Sequence, residues 1–194
     1  MQPAIKLTPL SQLRIRQASE EDLTLLEWEG EFTHFRRLFA DAYHMAELGK
    51  GLIWISVAEN GFLIGQLFVS LSGGRPELSD GKTRAYIYGF RIRPSFRRMG
   101  VGGMMMHTVE ADLAGRDFQW ITLNVANDNL PARRFYERFG YRVTASDPGI
   151  WSYLDDQGIR RNVHEPSWRM EKLLSNLDGV GMGRTEHPFD DFKR

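Results

Sequence analysis

Phe96 to Gly103 reads FRRMGVGG, entered from the aromatic and β-branched run Thr83 to Ile92 (TRAYIYGFRI) and followed by Val101, Met105, Val109 and Leu113 at four-residue intervals. A strand, a glycine turn and a helix in that order predict an anion cradle. Glycines at Gly100, Gly102 and Gly103 remove Cβ atoms so that successive N–H groups can converge, and the helix adds its unsatisfied N–H groups and positive dipole end. A pyrophosphate is the expected occupant. A triphosphate loop of the form G-x-x-x-x-G-K-[ST] fails, because Met104 and Met105 stand where lysine and a hydroxyl are required. A dinucleotide fingerprint G-x-G-x-x-G is weak, because Met105 occupies the third glycine position after Gly100 and Gly102. A plain tight turn is the remaining alternative.

The text downstream bears on that choice. Trp120 to Asn127 reads WITLNVAN and is strand-like, and Asn129 to Tyr141 reads NLPARRFYERFGY. Together with FRIRP at Phe90 to Pro94, the chain therefore carries R-x-x-G-x-G at Arg97 to Gly102 and N-x-x-A-x-x-F-Y-x-x-x-G-Y some thirty residues later. On these motifs, which cover roughly Ala85 to Tyr141, it resembles the GNAT superfamily of N-acetyltransferases.

That resemblance implies a mixed α/β (α+β) fold, with a mostly antiparallel central sheet and helices on both faces. Two central parallel strands, here Thr83 to Ile92 and Trp120 to Val125, would splay apart to admit the pantetheine arm of acetyl-CoA. It assigns pantetheine backbone contacts to Phe90 and Ile92. The pyrophosphate falls to the N–H groups of Arg98, Met99, Gly100, Val101, Gly102 and Gly103, with Arg97 beginning the motif. Asn129 matches an asparagine that steadies the cofactor arm, and Tyr136 a tyrosine beside the cofactor sulfur.

The wider composition narrows the classes. With 194 residues, 42% of them hydrophobic, the chain can bury a full core as one domain, with a core of about residues 13–174. Twenty-five basic and 25 acidic residues cancel, so no bulk field draws it to nucleic acid or an anionic membrane. It has no cysteine, which rules out a disulfide, a thiolate metal site and an acyl-cysteine intermediate, and suits a reducing compartment. Its five histidines show no metal-ligand spacing, so no metal is expected. The N-terminal stretch lacks an apolar h-region and no 18-residue apolar run occurs, which reads as a soluble cytoplasmic protein.

Elsewhere the alternation from Leu13 to Gln17 predicts a first strand, with Ser19 capping a short helix. Phe32, Phe35, Phe39, Tyr43 and Ala46 predict a second helix ending near Gly49, its aromatic stripe assigned to the core or to an acceptor pocket wall. Leu52 to Ala58 and Phe62 to Leu71 predict an antiparallel hairpin with a two-residue turn at Asn60-Gly61. After the helix Leu130 to Phe139, two closing strands are expected around Val143 and at Trp168 to Leu173. Residues 175–194 read as a tail that is flexible or docks on a neighbouring subunit, as in a homodimer.

The chemistry fits these residue types. An amine attacks the thioester carbonyl, strand-edge N–H groups near Ile92 steady the oxyanion by about 2.7–4 kcal/mol per donor, and a Tyr136 phenol, protonated at neutral pH, can protonate the departing sulfur. No carboxylate stands on Ala85 to Ile92, which leaves Glu29, Glu31, His34, or Tyr86 and Tyr88 through water, as candidate bases. A lysine-like amine costs about 4.6 kcal/mol to deprotonate at pH 7, an α-amine only about 1.4 kcal/mol. Arg91, Arg93, Arg97, Arg98, Arg133 and Arg134 either attract the coenzyme's phosphates or form a solvated face. The expected partner is a small-molecule amine or a peptide or protein amine. The missing strand carboxylate keeps one alternative of a different class, a non-catalytic acyl-CoA-binding or regulatory domain.

Overall fold

The computed structural model describes residues 13–174. Residues 175–194, read above as a flexible or docking tail, lie outside the described residues. Nine strands and three α-helices follow in chain order among the described residues: β1 (Arg14–Gln17), α1 (Arg36–Glu47), β2 (Gly51–Val57), β3 (Leu63–Ser70), β4 (Arg84–Ile92), α2 (Val101–Gly115), β5 (Trp120–Ala126), α3 (Leu130–Arg138), β6 (Arg142–Asp147), β7 (Ile150–Leu154), β8 (Arg160–His164) and β9 (Ser167–Leu173). Seven strands form one sheet in the order β1-β2-β3-β4-β5-β9-β6, and β7 and β8 pair separately. Every pairing in the large sheet is antiparallel except β4 with β5. This is the mixed sheet with a central parallel pair that the motifs implied.

Helix α2 covers one face. Its four-residue repeat puts Val101, Met105, Val109 and Leu113, with Met106, fully out of water against Ala85, Ile87, Ile121 and Leu123, while Met104 faces outward. On the other face Leu26, Trp28 and Phe39 pack on Ile53, Ile55 and Phe68. The first predicted helix is a 3₁₀ segment, Glu20–Glu27, started at Ser19, whose N–H donates to the Asp22 carboxylate at 2.8 Å. The second begins as a 3₁₀ turn, Thr33–Phe35, before α1.

Two expectations are corrected. The β2–β3 connection is a three-residue loop, not a two-residue turn: Ala58 N–H donates to Phe62 O and Gly61 N–H to Ala58 O, both at 2.9 Å, which leaves Glu59 to Gly61 outside the ladder. A type I turn closed by a glycine gives this geometry and shares the Asn-Gly signature of the shorter turn. The β7–β8 hairpin, in register from Ile150↔His164 to Leu154↔Arg160, was not expected at all. Its strands carry arginine, asparagine and serine among apolar residues, and most of it is exposed, so no run of hydrophobic alternation marks it.

Candidate active site

The site begins where two strands part. The parallel ladder runs from Arg84↔Trp120 to Ile87↔Leu123 and stops. Beyond that rung β4 continues to Ile92 paired with β3, and β5 continues to Ala126 paired with β9, so the edges they would have shared are left without a strand. A bulge drives the separation. Register slips between Gln66 and Phe68 of β3 opposite Gly89, which adopts φ +58°, and a Cβ there would lie 2.8 Å from the Phe68 ring. Glycine alone accommodates both the left-handed backbone and the ring beside it.

The cradle lies at the end of β4. Arg98 and Gly100 take left-handed conformations, φ +61° and +90°, and the first N–H of α2 with a backbone acceptor is Met104, donating to Gly100 O at 3.0 Å. Six successive N–H groups, Arg98 to Gly103, therefore have no protein acceptor among the described residues, and no side chain caps α2. Helix α3 differs, because Asn129 Oδ1 accepts the Ala132 N–H at 3.2 Å. Uncapped N–H groups at a helix start are a ready anion site.

The glycines also do something the sequence did not reveal. A Cβ at Gly102 would sit 3.5 Å from Phe135 and 3.6 Å from Phe90, and one at Gly103 would sit 3.4 Å from Phe139, ordinary contact distances that put the start of α2 against the aromatic face of α3.

Several sequence-predicted residues are placed otherwise than as direct ligands. The Arg97 guanidinium turns back to donate to Ile92 O at 2.9 Å, which fastens the loop to the strand end. Arg93 is held at 2.8 Å through both nitrogens by Glu29, and Arg133 pairs with Glu137 at 2.9 Å. Among the six arginines read as phosphate attractors, these three are engaged with the protein itself.

Tyr136 projects from α3 into the sheet's core side, edge-on to Phe135 at 5.3 Å and to Tyr141 at 5.7 Å. Burial pushes its phenol well above the usual value, and nearby Tyr86 adds to the effect, so the proton stays on the oxygen at any physiological pH. The neighbouring Tyr141 is already committed, donating to Glu110 at 3.1 Å while Lys172 holds the same carboxylate at 2.6 Å.

On the opposite face of β4, Tyr86 and Tyr88 stack at 5.8 Å, and burial raises both phenols to about 12. That makes them poor bases, directly or through water. Glu29 is bound to Arg93, and His34 lies against Phe35 at 4.1 Å. The carboxylate missed in the sequence is Glu165. Asn127 N–H, just past β5, donates to Pro166 O at 2.9 Å, which brings the segment to the mouth of the splay, and the Glu165 charge is felt by both Tyr86 and Arg91. Its position depends on the β7–β8 hairpin, so nothing local in the sequence marks it. A separate groove of about 400 Å³ between α1 and β7, lined by Arg37, Asp41, Tyr153 and Arg160 among others, shares no residue with the splay.

Residues 14–141 match the sequence profile described as "Acetyltransferase (GNAT) family". No curated protein sequence is significantly similar to the chain. Among solved structures, Ard1 from Thermoplasma volcanium superposes with a TM-score of 0.65 at 21% identity, covering 84% of this chain and 99% of that one. NAA60 from Arabidopsis thaliana, solved with acetyl-CoA, gives 0.62 at 19% identity over 84% and 98%. The spermidine/spermine N-acetyltransferase SpeG from Vibrio cholerae gives 0.62 at 16% over 84% and 94%. At these identities the likeness is one of fold.

Proposed function

Because the chain belongs to the Acetyltransferase (GNAT) family, we propose that it is an N-acetyltransferase that passes the acetyl group of acetyl-CoA to a primary amine by direct attack in a ternary complex. The observation that carries this reading is the run of six N–H groups from Arg98 to Gly103 without a protein acceptor, placed at the open end of the β4–β5 splay. A diphosphate on those groups directs the pantetheine arm along the strandless edge of Phe90 to Ile92, where Arg97 already holds Ile92 O, toward the last paired rung. The named amine substrates of SpeG and the acetyl-CoA bound in NAA60 agree with this assignment.

The protein's own groups then divide the work. Strand-edge N–H groups near Ile92 steady the oxyanion formed when the amine adds to the thioester carbonyl. As the C–S bond breaks, Tyr136 gives its proton to the sulfur; burial keeps that proton on the phenol and available at neutral pH, though it also makes the phenol a weaker acid. Among the described residues Glu165 is an unpaired carboxylate near the mouth of the splay, and the amine's proton passes to it or to water. Acceptors of the family's type include small amines and peptide or protein amines, and a cytoplasmic setting fits the cysteine-free composition.

The test is thiol release from acetyl-CoA by the purified protein with a broad amine panel. Release that depends on the amine and yields the N-acetyl product is expected. Saturable acetyl-CoA binding without amine-dependent release for any acceptor contradicts the reading.

A further inference from the structure

On the acceptor face of the sheet one cation stands apart. Arg91 follows the bulge of β4 and points away from the face to which Phe90 and Ile92 contribute, with its Cζ over the rings of Phe32 at 4.6 Å and Phe35 at 5.3 Å. Three other arginines of this region are neutralised: Arg84 of β4 by Glu171, Arg93 just past β4 by Glu29, and Arg169 of β9 by Asp147. The Arg91 side chain makes no hydrogen bond and no ion pair among the described residues. Burial lowers its pKa, and the carboxylates that act on it, Glu31 and Glu165, do so through space only.

A guanidinium offers five N–H donors and no acceptor, and its fork matches a carboxylate in bidentate fashion. Leaving such donors half-buried and unpaired is costly unless water or a ligand meets them. The flat aromatic support under Arg91 fixes the guanidinium plane and leaves its nitrogen edge for an incoming group. The two exposed carboxylates that act on it, Glu31 and Glu165, give this face a cation with anions nearby, the complement of a molecule that carries an ammonium and a carboxylate close together.

We infer that Arg91 is a specificity-determining residue that binds the carboxylate of the acceptor, so that the preferred substrates are amines bearing their own carboxylate, amino acids or small amino acids' derivatives, and not polyamines. This rests on the acetyltransferase reading above, because it places the acceptor beside the thioester. The hydrogen-bonded carboxylate sits on one face of β4 while the pantetheine lies along the β5-facing backbone edge of Phe90 to Ile92, which brings the two substrates to the same strand.

Calorimetry separates the two claims. Leucine, phenylalanine and glutamate are titrated against their carboxamides, with spermidine as the cationic control, into the protein with and without coenzyme A, and thiol release is followed in parallel. Each acid is expected to bind about ten- to a hundredfold more tightly than its amide, as a charge-assisted hydrogen bond is lost. Arg91→Gln should abolish that preference through KM while coenzyme A binding is kept, and Arg91→Lys should restore part of it. Acids and amides binding alike, spermidine binding best, no acceptor binding at all, or a preference that survives Arg91→Gln each overturns the inference. Failure of coenzyme A to bind, with the acid preference intact, instead overturns the acetyltransferase reading.

Discussion

Ile87 of β4 and Leu123 of β5 form the last rung of the parallel ladder, and the two strands separate immediately beyond them. Both residues are buried against α2, so the strands stay locked together up to that point. Two residues further, the bulge at Gly89 bends β4, which stays paired with β3, away from β5 and opens the gap. The site is thus made where each strand loses one partner in mid-strand and keeps the other.

Gly89→Ala tests the bulge. The substitution forces a side chain into φ +58° and places its Cβ 2.8 Å from the Phe68 ring. A loss of about 1–3 kcal/mol in denaturant unfolding is expected, with weakened coenzyme A binding among the molecules that remain folded. Undiminished stability would mean that the bulge relaxes freely.

Tyr136→Phe removes one oxygen from a ring held between Phe135 and Tyr141. Turnover should fall about a hundredfold or more while coenzyme A affinity stays the same. Tyr141→Phe is the contrasting variant. It takes a hydrogen bond from Glu110 and should cost about 1 kcal/mol of stability with turnover retained. Comparable turnover in wild type and Tyr136→Phe removes Tyr136 from the reaction.

Gly100→Val examines the cradle. A β-branched residue at φ +90° costs about 1–3 kcal/mol and pulls the following N–H groups out of line. Coenzyme A should bind about tenfold more weakly or worse, measured by titration, with the helix content of the protein unchanged by circular dichroism.

Acid stability follows from Asp147. Burial alone pushes its carboxyl up, but the hydrogen bond from Arg75, the Gly149 N–H and the Arg75 charge together hold it at about 2. Its folded value lies below the ordinary one of about 3.9, so the stabilisation is complete above pH 4 and disappears as the pH falls toward 2. Melting temperature should therefore drop steeply across that interval. Asp147→Asn should start lower and show a shallower decline, because the group that takes up the proton is gone.

Much of this was legible in the chain. The four-residue repeat from Val101 to Leu113 and the continuous apolar runs of β2 and β3 reported burial directly, because a helix on a core repeats with its contacts and a strand covered on both faces is apolar throughout. The cradle was legible because glycine positions and the following helix are adjacent in sequence. What escaped notice was non-local or exposed. The β7–β8 hairpin buries little, so it leaves no hydrophobic period, and Glu165 reaches the splay only through that hairpin and the bond between Asn127 and Pro166. Arg91 was visible as a charge, but that it has no ion pair among the described residues, while Arg93 is held by Glu29 across 64 positions of chain, could not be read from sequence.

The central claim is that the N–H groups from Arg98 to Gly103 grip the coenzyme's diphosphate, and calorimetric titration of coenzyme A beside pantetheine, which lacks that group, tests it most directly. Saturable binding of coenzyme A, with pantetheine weaker by about tenfold or more, is the predicted result. Equal affinity for the two, or no binding of coenzyme A, would contradict it.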